Sequence, residues 1–258
     1  MEETSDPHFQ ADGAAAPELS IVVPALDEAG NVGPLVAEVK ASIVDTGIGC
    51  ELIVVDDGSG DGTLAVLRDL AGAYGWLRVL HRPEPMGQSA AMAAGIAVAR
   101  GAYIATLDAD LQNDPADLPG MLARAKAEGF DLVQGDRSAN RQDHAVRRWA
   151  SGVGRFARRA IVGDGTRDTG CSARVMRAGY AKRLPLQYKG MHRFVPATIR
   201  LLGGSIAEVP VGHRARHSGT TKYGLGLLTR GLAGFVDCLA VRWMSKRVRD
   251  VSVEEVSS

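Results

Sequence analysis

The segment YIATLDADLQNDP, Tyr103 to Pro115, ends a hydrophobic run with three oxygen-bearing side chains spaced two residues apart: Asp108, Asp110 and Gln112. Because successive side chains of an extended chain alternate between faces, this spacing places all three on one side. Two adjacent carboxylates repel each other unless a cation or proton is present, and oxygen ligands suit Mg²⁺ or Mn²⁺ with positions open for phosphate. The segment therefore predicts a metal site; helix capping by Asn113 or the next residue is the alternative, and it leaves both earlier carboxylates unexplained.

A second acidic motif, VVDDGSGDGT, ends the hydrophobic run that begins at Glu51. Asp57, Ser59 and Asp61 have the spacing of a calcium loop, but the twelfth position is Arg68 where such a loop needs Glu, and a strand pattern precedes it. The better interpretation is a strand-end loop whose carboxylates accept hydrogen bonds from a base or a ribose. The chain has no GxxxxGK[ST] motif and no GxGxxG after the first strand, which disfavours a P-loop ATPase and an ordinary dinucleotide enzyme.

The formal net charge of zero hides an uneven distribution along the 258 residues. Residues 1–136 carry 22 Asp and Glu against 7 Lys and Arg, whereas residues 137–258 carry 8 against 23. The basic half suits an anionic ligand, nucleic acid or a membrane surface, with solvated helix faces as the alternative.

The 3 cysteines form no C-x-x-C pair, and no secretory signal precedes the first strand. We therefore expect neither a disulfide framework nor a zinc site, and we expect a reducing cytoplasmic setting.

Alternating strand and helix patterns must position these motifs. Short β-branched runs predict strands at LSIVVPAL, ELIVVDD, LRVLHR, AYIATLD and DLVQGDR, and GGSIAEVPVGHRAR predicts a return to the sheet. Helical spacing separates them at Val32 to Ile43, Thr63 to Ala73, Gln88 to Arg100 and after Pro115, and the basic stretch that follows Arg137 is expected to be helical. This order predicts a Rossmann-like α/β domain with a mainly parallel sheet, whose ligands bind beyond the carboxyl ends of the strands, where both acidic motifs lie.

The two ends of the chain differ from this domain. Residues 1–17 are polar and small and predict a disordered tail, so the domain is expected over 18–222, with a polar tail at 248–258. The segment from Tyr223 to Trp243 is mostly apolar but is interrupted by Arg230 and Asp237. It therefore predicts an amphipathic helix at a membrane interface, over 223–247, and not a spanning helix; a helix buried in the core is the alternative.

Several of these motifs together resemble the inverting glycosyltransferases of family 2, which have the GT-A fold: SIVVPALDE, VVDDGSGDGT, GQSAAMAAGIAVARGAYIATLDADLQNDP and LVQGDR. Further segments, NRQD, Arg147 to Ser151, DTGC and HRARHSGTTKYG, are similar to polyprenyl-phosphate glycosyltransferases, a group that includes dolichol-phosphate mannose synthase and the undecaprenyl-phosphate aminoarabinose transferase. The resemblance extends from about Leu19 to Trp243. Each motif alone is weak, and their combination is specific.

The resemblance implies a role for each matched position. The base and ribose of a nucleotide-sugar donor would be held by Pro24, Ala25, Asp27, Glu28 and Asp56, with Asp57, Gly87 and Gln88 in the same pocket. The metal, Mg²⁺ or Mn²⁺, and the donor diphosphate would be bound by Asp108, Asp110 and Gln112. The acceptor phosphate would be surrounded by Arg137, Arg147, Ser151 and Arg216, with Lys222 nearby.

The implied reaction is inverting transfer of a sugar from GDP-mannose or a UDP-sugar to dolichyl or undecaprenyl phosphate. A phosphate monoester with a second pKa of about 6 is already largely ionised at neutral pH, so this acceptor needs no general base. Arginine forks suit its oxygens. The expected location is peripheral, at the inner face of the cytoplasmic membrane, held by the C-terminal helix and the basic Lys246, Arg247 and Arg249, with a separate membrane protein as a further candidate partner.

Two alternatives stay open. A family 2 transferase with a hydroxyl acceptor needs a carboxylate base, for which Asp136 or Asp168 could serve. A non-catalytic, membrane-associated binding protein would keep the fold without the reaction, although the intact set of aspartates argues against it. Nucleic acid is not an expected partner, because the basic half lacks an interleaved aromatic platform.

Overall fold

The computed structural model describes residues 16–138, 161–163, 165–216, 227–247 and 249. Its strands are β1 (Leu19–Ala25), β2 (Cys50–Asp57), β3 (Leu77–Arg82), β4 (Tyr103–Thr106), β5 (Leu132–Asp136), β6 (Arg174–Arg177) and β7 (Ile206–Pro210). They form one sheet in the order β3-β2-β1-β4-β6-β5-β7. Neighbouring strands are parallel except for β6, which runs antiparallel to both β4 and β5.

The helices lie on both faces of this sheet. They are α1 (Ala29–Ser42), α2 (Thr63–Ala73), α3 (Gln88–Val98), α4 (Asp117–Glu128), α5 (Ala178–Ala181), α6 (Val195–Leu201) and α7 (Leu227–Ser245), with 3₁₀ turns at Val44–Thr46 and Met191–Phe194. Side chains of β1 alternate between two cores: Ile21 and Val23 pack with α1, α2 and α4, whereas Val22 packs with α3, α6 and α7. Burial on both faces explains why these strands are continuous hydrophobic runs.

Helix α3 approaches the sheet closely at Gly95, where a Cβ atom would overlap Val22 and lie 3.2 Å from Val55 Cγ2. We expect Gly95→Ala to destabilise the fold by about 1–3 kcal/mol, because an added methyl overpacks this contact. In a protein of this size each kcal/mol lowers Tm by roughly 2–4 °C. Gly120→Ala in α4 is the matched control, since a Cβ there meets nothing within 4 Å and alanine favours the helix. Thermal unfolding measures both variants, and equal Tm values would contradict the prediction.

The structure confirms the predicted fold class, and each predicted strand is present. The basic stretch after Arg137 was expected to be helical; its described part also contains strand β6, which the sequence did not predict, and residues 139–160 lie outside the described ranges. The boundaries of the tails and of the domain stay predictions, because residues 1–15, 217–226 and 250–258 also lie outside those ranges.

The predicted C-terminal helix is present as α7 over its described part. Cys238 and Val241 are buried against the α3 and α6 side of the sheet, whereas Phe235, Leu239 and Trp243 are exposed. One face of the helix therefore packs on the domain and another faces outward. In the portion of the chain that the structure describes, no helix is long and apolar enough to cross a membrane.

Candidate active site

A cavity of about 420 Å³ lies beyond the carboxyl ends of β1, β2 and β4. Strand β1 lies between β2 and β4, and the chain moves from β1 to β2 and β3 on one side before α3 returns it to β4 on the other. This reversal of strand order is where open α/β sheets bind ligands. The cavity is lined by Pro24, Ala25, Leu26, Glu28, Asp57, Gly87, Gln88, Ala91, Asp108, Ala109, Asp110 and Arg216.

Most of the predicted donor-site residues therefore converge on one cavity. The predicted residues outside its lining are Asp27, Asp56, Gln112 and Arg137. Three predicted acceptor-site residues, Arg147, Ser151 and Lys222, lie outside the described residues. Their roles stay predictions.

The acidic segment after β4 is a turn and not the extended strand end on which the spacing argument relied. Strand β4 ends at Thr106, and Leu111 has a positive φ of 61°. Asp110 Oδ1 accepts a hydrogen bond from the Gln112 backbone N–H at 3.2 Å, which closes the turn. Asp108 and Asp110 line the cavity, whereas Gln112 is held by its backbone: its carbonyl accepts a bond of 2.9 Å from the Arg214 N–H.

Asp108 lies in an environment that disfavours an isolated negative charge. Burial raises the pKa of Asp108, and the neighbouring Asp110 raises it further, while Ser172, Arg174 and Arg137 act in the opposite direction. Asp108 Oδ1 also accepts a hydrogen bond of 2.7 Å from Gln88 Nε2, at the start of α3. A cation beside these two carboxylates would remove the repulsion that raises this pKa.

The basic side chain that reaches Asp110 is Arg216. Its Nη2 donates to Asp110 Oδ2 at 2.8 Å, and its Nη1 lies 3.4 Å from Glu28 Oε1. The guanidinium thus bridges carboxylates that follow β1 and β4. This arrangement brings one predicted acceptor-site residue into the predicted donor cavity.

The two aspartates that end β2 have different surroundings. Asp57 accepts the backbone N–H groups of Met86 and Gly87 at 3.1 and 2.7 Å, so it braces the loop that leads into α3. Asp56 is fully buried, lies 2.8 Å from His81 Nδ1 and accepts the Ser59 N–H at 3.3 Å. Asp57 therefore shapes one wall of the cavity, and Asp56 lies behind it.

Asp27 ties the loop after β1 to the glycine-rich loop after β2. It has a positive φ of 46°, its N–H donates to Ser59 Oγ at 2.8 Å, and its Oδ1 accepts the Gly60 N–H at 2.7 Å. A second link joins the Glu28 N–H to Thr63 Oγ1 at 2.8 Å. These bonds fix the entrance to α1, where Glu28 lines the cavity.

Arg137 and Asp168 form a buried ion pair. Arg137 Nε and Nη2 donate to Asp168 Oδ2 and Oδ1 at 2.8 and 3.2 Å, and Asp168 also accepts the Gly170 N–H at 3.2 Å. Both side chains are at least partly buried, with exposed fractions of 11% and 5%. Asp136 accepts the Ser138 N–H at 2.8 Å. Asp136 Oδ2 also lies 3.9 Å from Arg167 Nη1, so each of the two candidate bases already faces an arginine and a backbone donor.

The family model for Glycosyl transferase family 2 matches residues 20–184, which is more than half of the chain and includes the turn with Asp108 and Asp110. The chain is a family 2 glycosyltransferase. The predicted family and enzyme class are thereby confirmed.

Two curated relatives cover most of this glycosyltransferase. It is 39% identical over 232 residues to a dodecaprenyl-phosphate galacturonate synthase of Rhizobium johnstonii, which covers 89% of this chain and 68% of that protein. It is 33% identical over 224 residues to an undecaprenyl-phosphate 4-deoxy-4-formamido-L-arabinose transferase of Pseudomonas aeruginosa, with 86% and 65% covered. The chain thus spans about two thirds of the length of these relatives.

Solved structures match the fold of the glycosyltransferase. Glucosyl-3-phosphoglycerate synthase of Mycobacterium tuberculosis, in complex with phosphoglyceric acid, has a TM-score of 0.64 at 22% identity, covering 91% of this chain and 82% of that one. The same enzyme in complex with Mg²⁺ and UDP has a TM-score of 0.63 at 21% identity, covering 91% and 81%. These likenesses support the GT-A fold that the sequence predicted.

Sequence reasoning missed a buried arginine beneath the cavity of the glycosyltransferase. Arg174, in β6, is only 2% exposed; its Nε donates to Gln134 Oε1 at 2.8 Å and its Nη2 to the Thr169 carbonyl at 2.9 Å. Its positive charge acts to lower the pKa of Asp108. The DTGC motif just before it belongs to the resemblance, and no periodicity marks a buried arginine.

A histidine near the start of α3 was also missed. His192 Nδ1 lies 2.8 Å from Ser89 Oγ, and Ser89 directly follows Gln88, which binds Asp108. Burial lowers the pKa of His192 to about 4, with Arg174 and Arg193 contributing in the same direction. The imidazole is therefore neutral at physiological pH. The only sequence feature beside His192 is the adjacent Arg193, which does not by itself indicate a buried histidine.

Proposed function

We propose that this glycosyltransferase transfers a sugar from a nucleoside diphosphate sugar to a polyprenyl phosphate, with inversion at the anomeric carbon. The observation that carries the proposal is the similarity, at 39% and 33% identity, to two proteins named for sugar transfer to a polyprenyl phosphate. The cavity at the strand ends, which is lined by several carboxylates and by Arg216, supports the same reaction.

The donor would lie in the cavity of about 420 Å³, which is in the range of small-ligand sites. Pro24, Ala25 and Glu28 would lie against the base and ribose, with Gly87 and Gln88 in the same pocket. The uridine or guanosine identity of the donor is tested by thermal shift with UDP and GDP, because a bound ligand stabilises the fold by mass action. The expected result is a larger shift with one of the two nucleotides.

The residues fit a divalent metal that is shared with the donor. Among the residues that the structure describes, no group of three or more His, Cys, Asp or Glu side chains could hold a metal ion by itself. Mg²⁺ is commonly bound through one or two carboxylates together with substrate phosphates, and Asp108 and Asp110 supply such a pair. Asp108, Asp110 and the side chain of Gln112 are the proposed ligands. When bound, the metal would neutralise charge on the departing diphosphate.

No protein base is proposed for the acceptor. A lipid phosphate monoester is largely ionised at neutral pH, so its oxygen can attack the anomeric carbon without transferring a proton. The bidentate engagement of Asp168 by Arg137 supports this choice, because both oxygens of this aspartate already accept hydrogen bonds from the guanidinium. Arg137 and Arg216, with Arg147, Ser151 and Lys222, would hold the acceptor phosphate.

The reaction is tested with labelled GDP-mannose, UDP-glucose and UDP-galacturonate, undecaprenyl phosphate and Mn²⁺. We expect one donor to label the lipid extracted into organic solvent, and chelation of the metal to abolish that labelling. Transfer to a soluble sugar hydroxyl, without any labelling of the lipid, would overturn the proposal in favour of a hydroxyl acceptor. Absence of both would favour a non-catalytic binding protein.

We also propose that α7 lies at a membrane interface. Its outward face carries Phe235, Val236, Leu239 and Trp243 with exposed fractions of 47%, 55%, 46% and 58%. The Arg247 guanidinium lies 4.5 Å from the Trp243 ring centroid. Exposed apolar side chains beside basic residues suit insertion among anionic headgroups, near a lipid substrate.

The double variant Leu239→Ser and Trp243→Ser should weaken binding to phosphatidylglycerol-containing vesicles by at least about tenfold, because both side chains lose favourable transfer from water. Co-sedimentation with the vesicles measures the binding. Val98→Ser is the control, since Val98 is also an exposed apolar residue, at 38%, but lies at the end of α3. Equal vesicle binding by the double variant and the unmodified protein would argue against an interfacial role for α7.

A further inference from the structure

The guanidinium of Arg216 is a positive charge held directly against Asp110, with Nη2 2.8 Å from Oδ2. The exposed fraction of its side chain is 23%, and those of its partners Asp110 and Glu28 are 10% and 12%. The ion pair is therefore partly withdrawn from water, where charge-assisted hydrogen bonds are stronger than at an open surface. This observation goes beyond the proposed role of Arg216 at the acceptor phosphate.

Both carboxylate oxygens of Asp110 already accept a hydrogen bond. Asp110 Oδ1 accepts the Gln112 backbone N–H, and Oδ2 accepts Arg216 Nη2. The backbone donor is fixed by the turn, whereas the arginine donor is the end of a flexible side chain. A divalent ion at the Asp110 carboxylate would compete with Arg216, because two cations beside one carboxylate repel each other.

The backbone before Arg216 is anchored independently of this contact. The N–H groups of Val211, Gly212 and Arg214 donate to the Asp136 carbonyl, Asp117 Oδ2 and the Gln112 carbonyl at 3.1, 3.1 and 2.9 Å. A change at Asp110 can thus release the guanidinium while the preceding residues stay in place. The released group remains tethered next to the donor cavity.

We infer that Arg216 is a tethered counter-cation that holds Asp110 and Glu28 until a divalent metal displaces it, and that this displacement frees its guanidinium for phosphate oxygens. The inference rests on the metal site of the proposed function. It implies an order of loading: metal binding would precede capture of the acceptor phosphate by Arg216. Without the metal, the positive charge of Arg216 compensates the negative charges of Asp110 and Glu28.

The direct test is Mn²⁺ binding to the full chain with UDP or GDP and without lipid, measured by the loss of the free-ion electron paramagnetic resonance signal beyond the loss that the nucleotide alone causes. Arg216→Gln should bind Mn²⁺ about three- to tenfold more tightly than the unmodified protein, because the competing cation is gone. Arg214→Gln is the matched control: Arg214 lies on the same segment but pairs with Glu38 and Asp114, and its removal should leave Mn²⁺ affinity unchanged.

A second measurement uses the unmodified sequence, so it does not depend on the folding of a variant. Phenylglyoxal modification of Arg216, quantified by mass spectrometry of the digested protein, should become faster when Mn²⁺ is added, while modification of Arg214 should not. Equal or weaker Mn²⁺ binding by Arg216→Gln, or a rate at Arg216 that Mn²⁺ leaves unchanged, would overturn the inference while leaving the proposed reaction intact. If Mn²⁺ binds none of these proteins, with or without UDP or GDP, the metal site of the proposed function fails as well.

Discussion

Replacing Asp110 with Asn is expected to lower sugar transfer by at least about a hundredfold, because a bound metal contributes several kcal/mol of charge stabilisation and Asn is a poor ligand for it. Asn keeps an oxygen that can accept the Gln112 N–H, so the turn should survive. The measurement is the rate of lipid labelling at saturating donor and Mn²⁺, together with the metal concentration that gives half the maximal rate.

The control for this variant is Asp114→Asn, which makes the same chemical change four residues further along. Asp114 pairs with Arg214, accepts the Ala116 N–H at 2.9 Å and does not line the cavity. We expect it to retain most of the activity, and thermal unfolding should find both variants folded. An Asp110→Asn protein with ordinary activity and an ordinary metal requirement would exclude Asp110 as a metal ligand.

The first half of the fold could be predicted because its sequence signals are local. Strands β1 and β2 are β-branched runs buried on both faces, and helix α1 between them has regular apolar spacing. The two acidic motifs could be assigned to the carboxyl edge of the sheet for the same reason. The alternating side-chain pattern did not predict the turn at Leu111, which the local Asp110–Gln112 bond closes and which also receives a bond from the Arg214 N–H at the Gln112 carbonyl, over 100 residues away.

Strand β6 could not be predicted from local pattern. It has four residues, Arg174 to Arg177, and its first arginine is buried. That burial is tolerable only because Gln134 and the Thr169 carbonyl accept its hydrogen bonds and Asp108 lies near enough to act on its charge. Asp57 illustrates the same limit within the site: it lines the cavity as its place in the motif suggested, but the motif did not predict that its two oxygens brace the Met86 and Gly87 backbone.

Loss of the Asp168 carboxylate should lower stability more than Gly95→Ala does. Asp168→Asn should lower the free energy of unfolding by about 3–5 kcal/mol, because it leaves the Arg137 guanidinium buried without its counter-charge. At roughly 2–4 °C for each kcal/mol, Tm should fall by about 6–20 °C. Urea unfolding and calorimetry measure the two quantities. The physical cause is the low exposure of the pair, 11% for Arg137 and 5% for Asp168.

The double variant Arg137→Met and Asp168→Leu separates the structural role of this pair from its chemical role. Replacing both charges with apolar side chains of similar volume should recover most of the lost stability, as no unpaired buried charge remains. Transfer should nevertheless stay low, with a raised KM for the lipid phosphate and unchanged Mn²⁺ binding, because Arg137 is the proposed acceptor ligand and lies outside the metal site. A double variant that is no more stable than Asp168→Asn would contradict the buried pair as the cause. Full recovery of transfer would instead remove Arg137 from the acceptor site and leave Arg216, among the described arginines, to bind the phosphate.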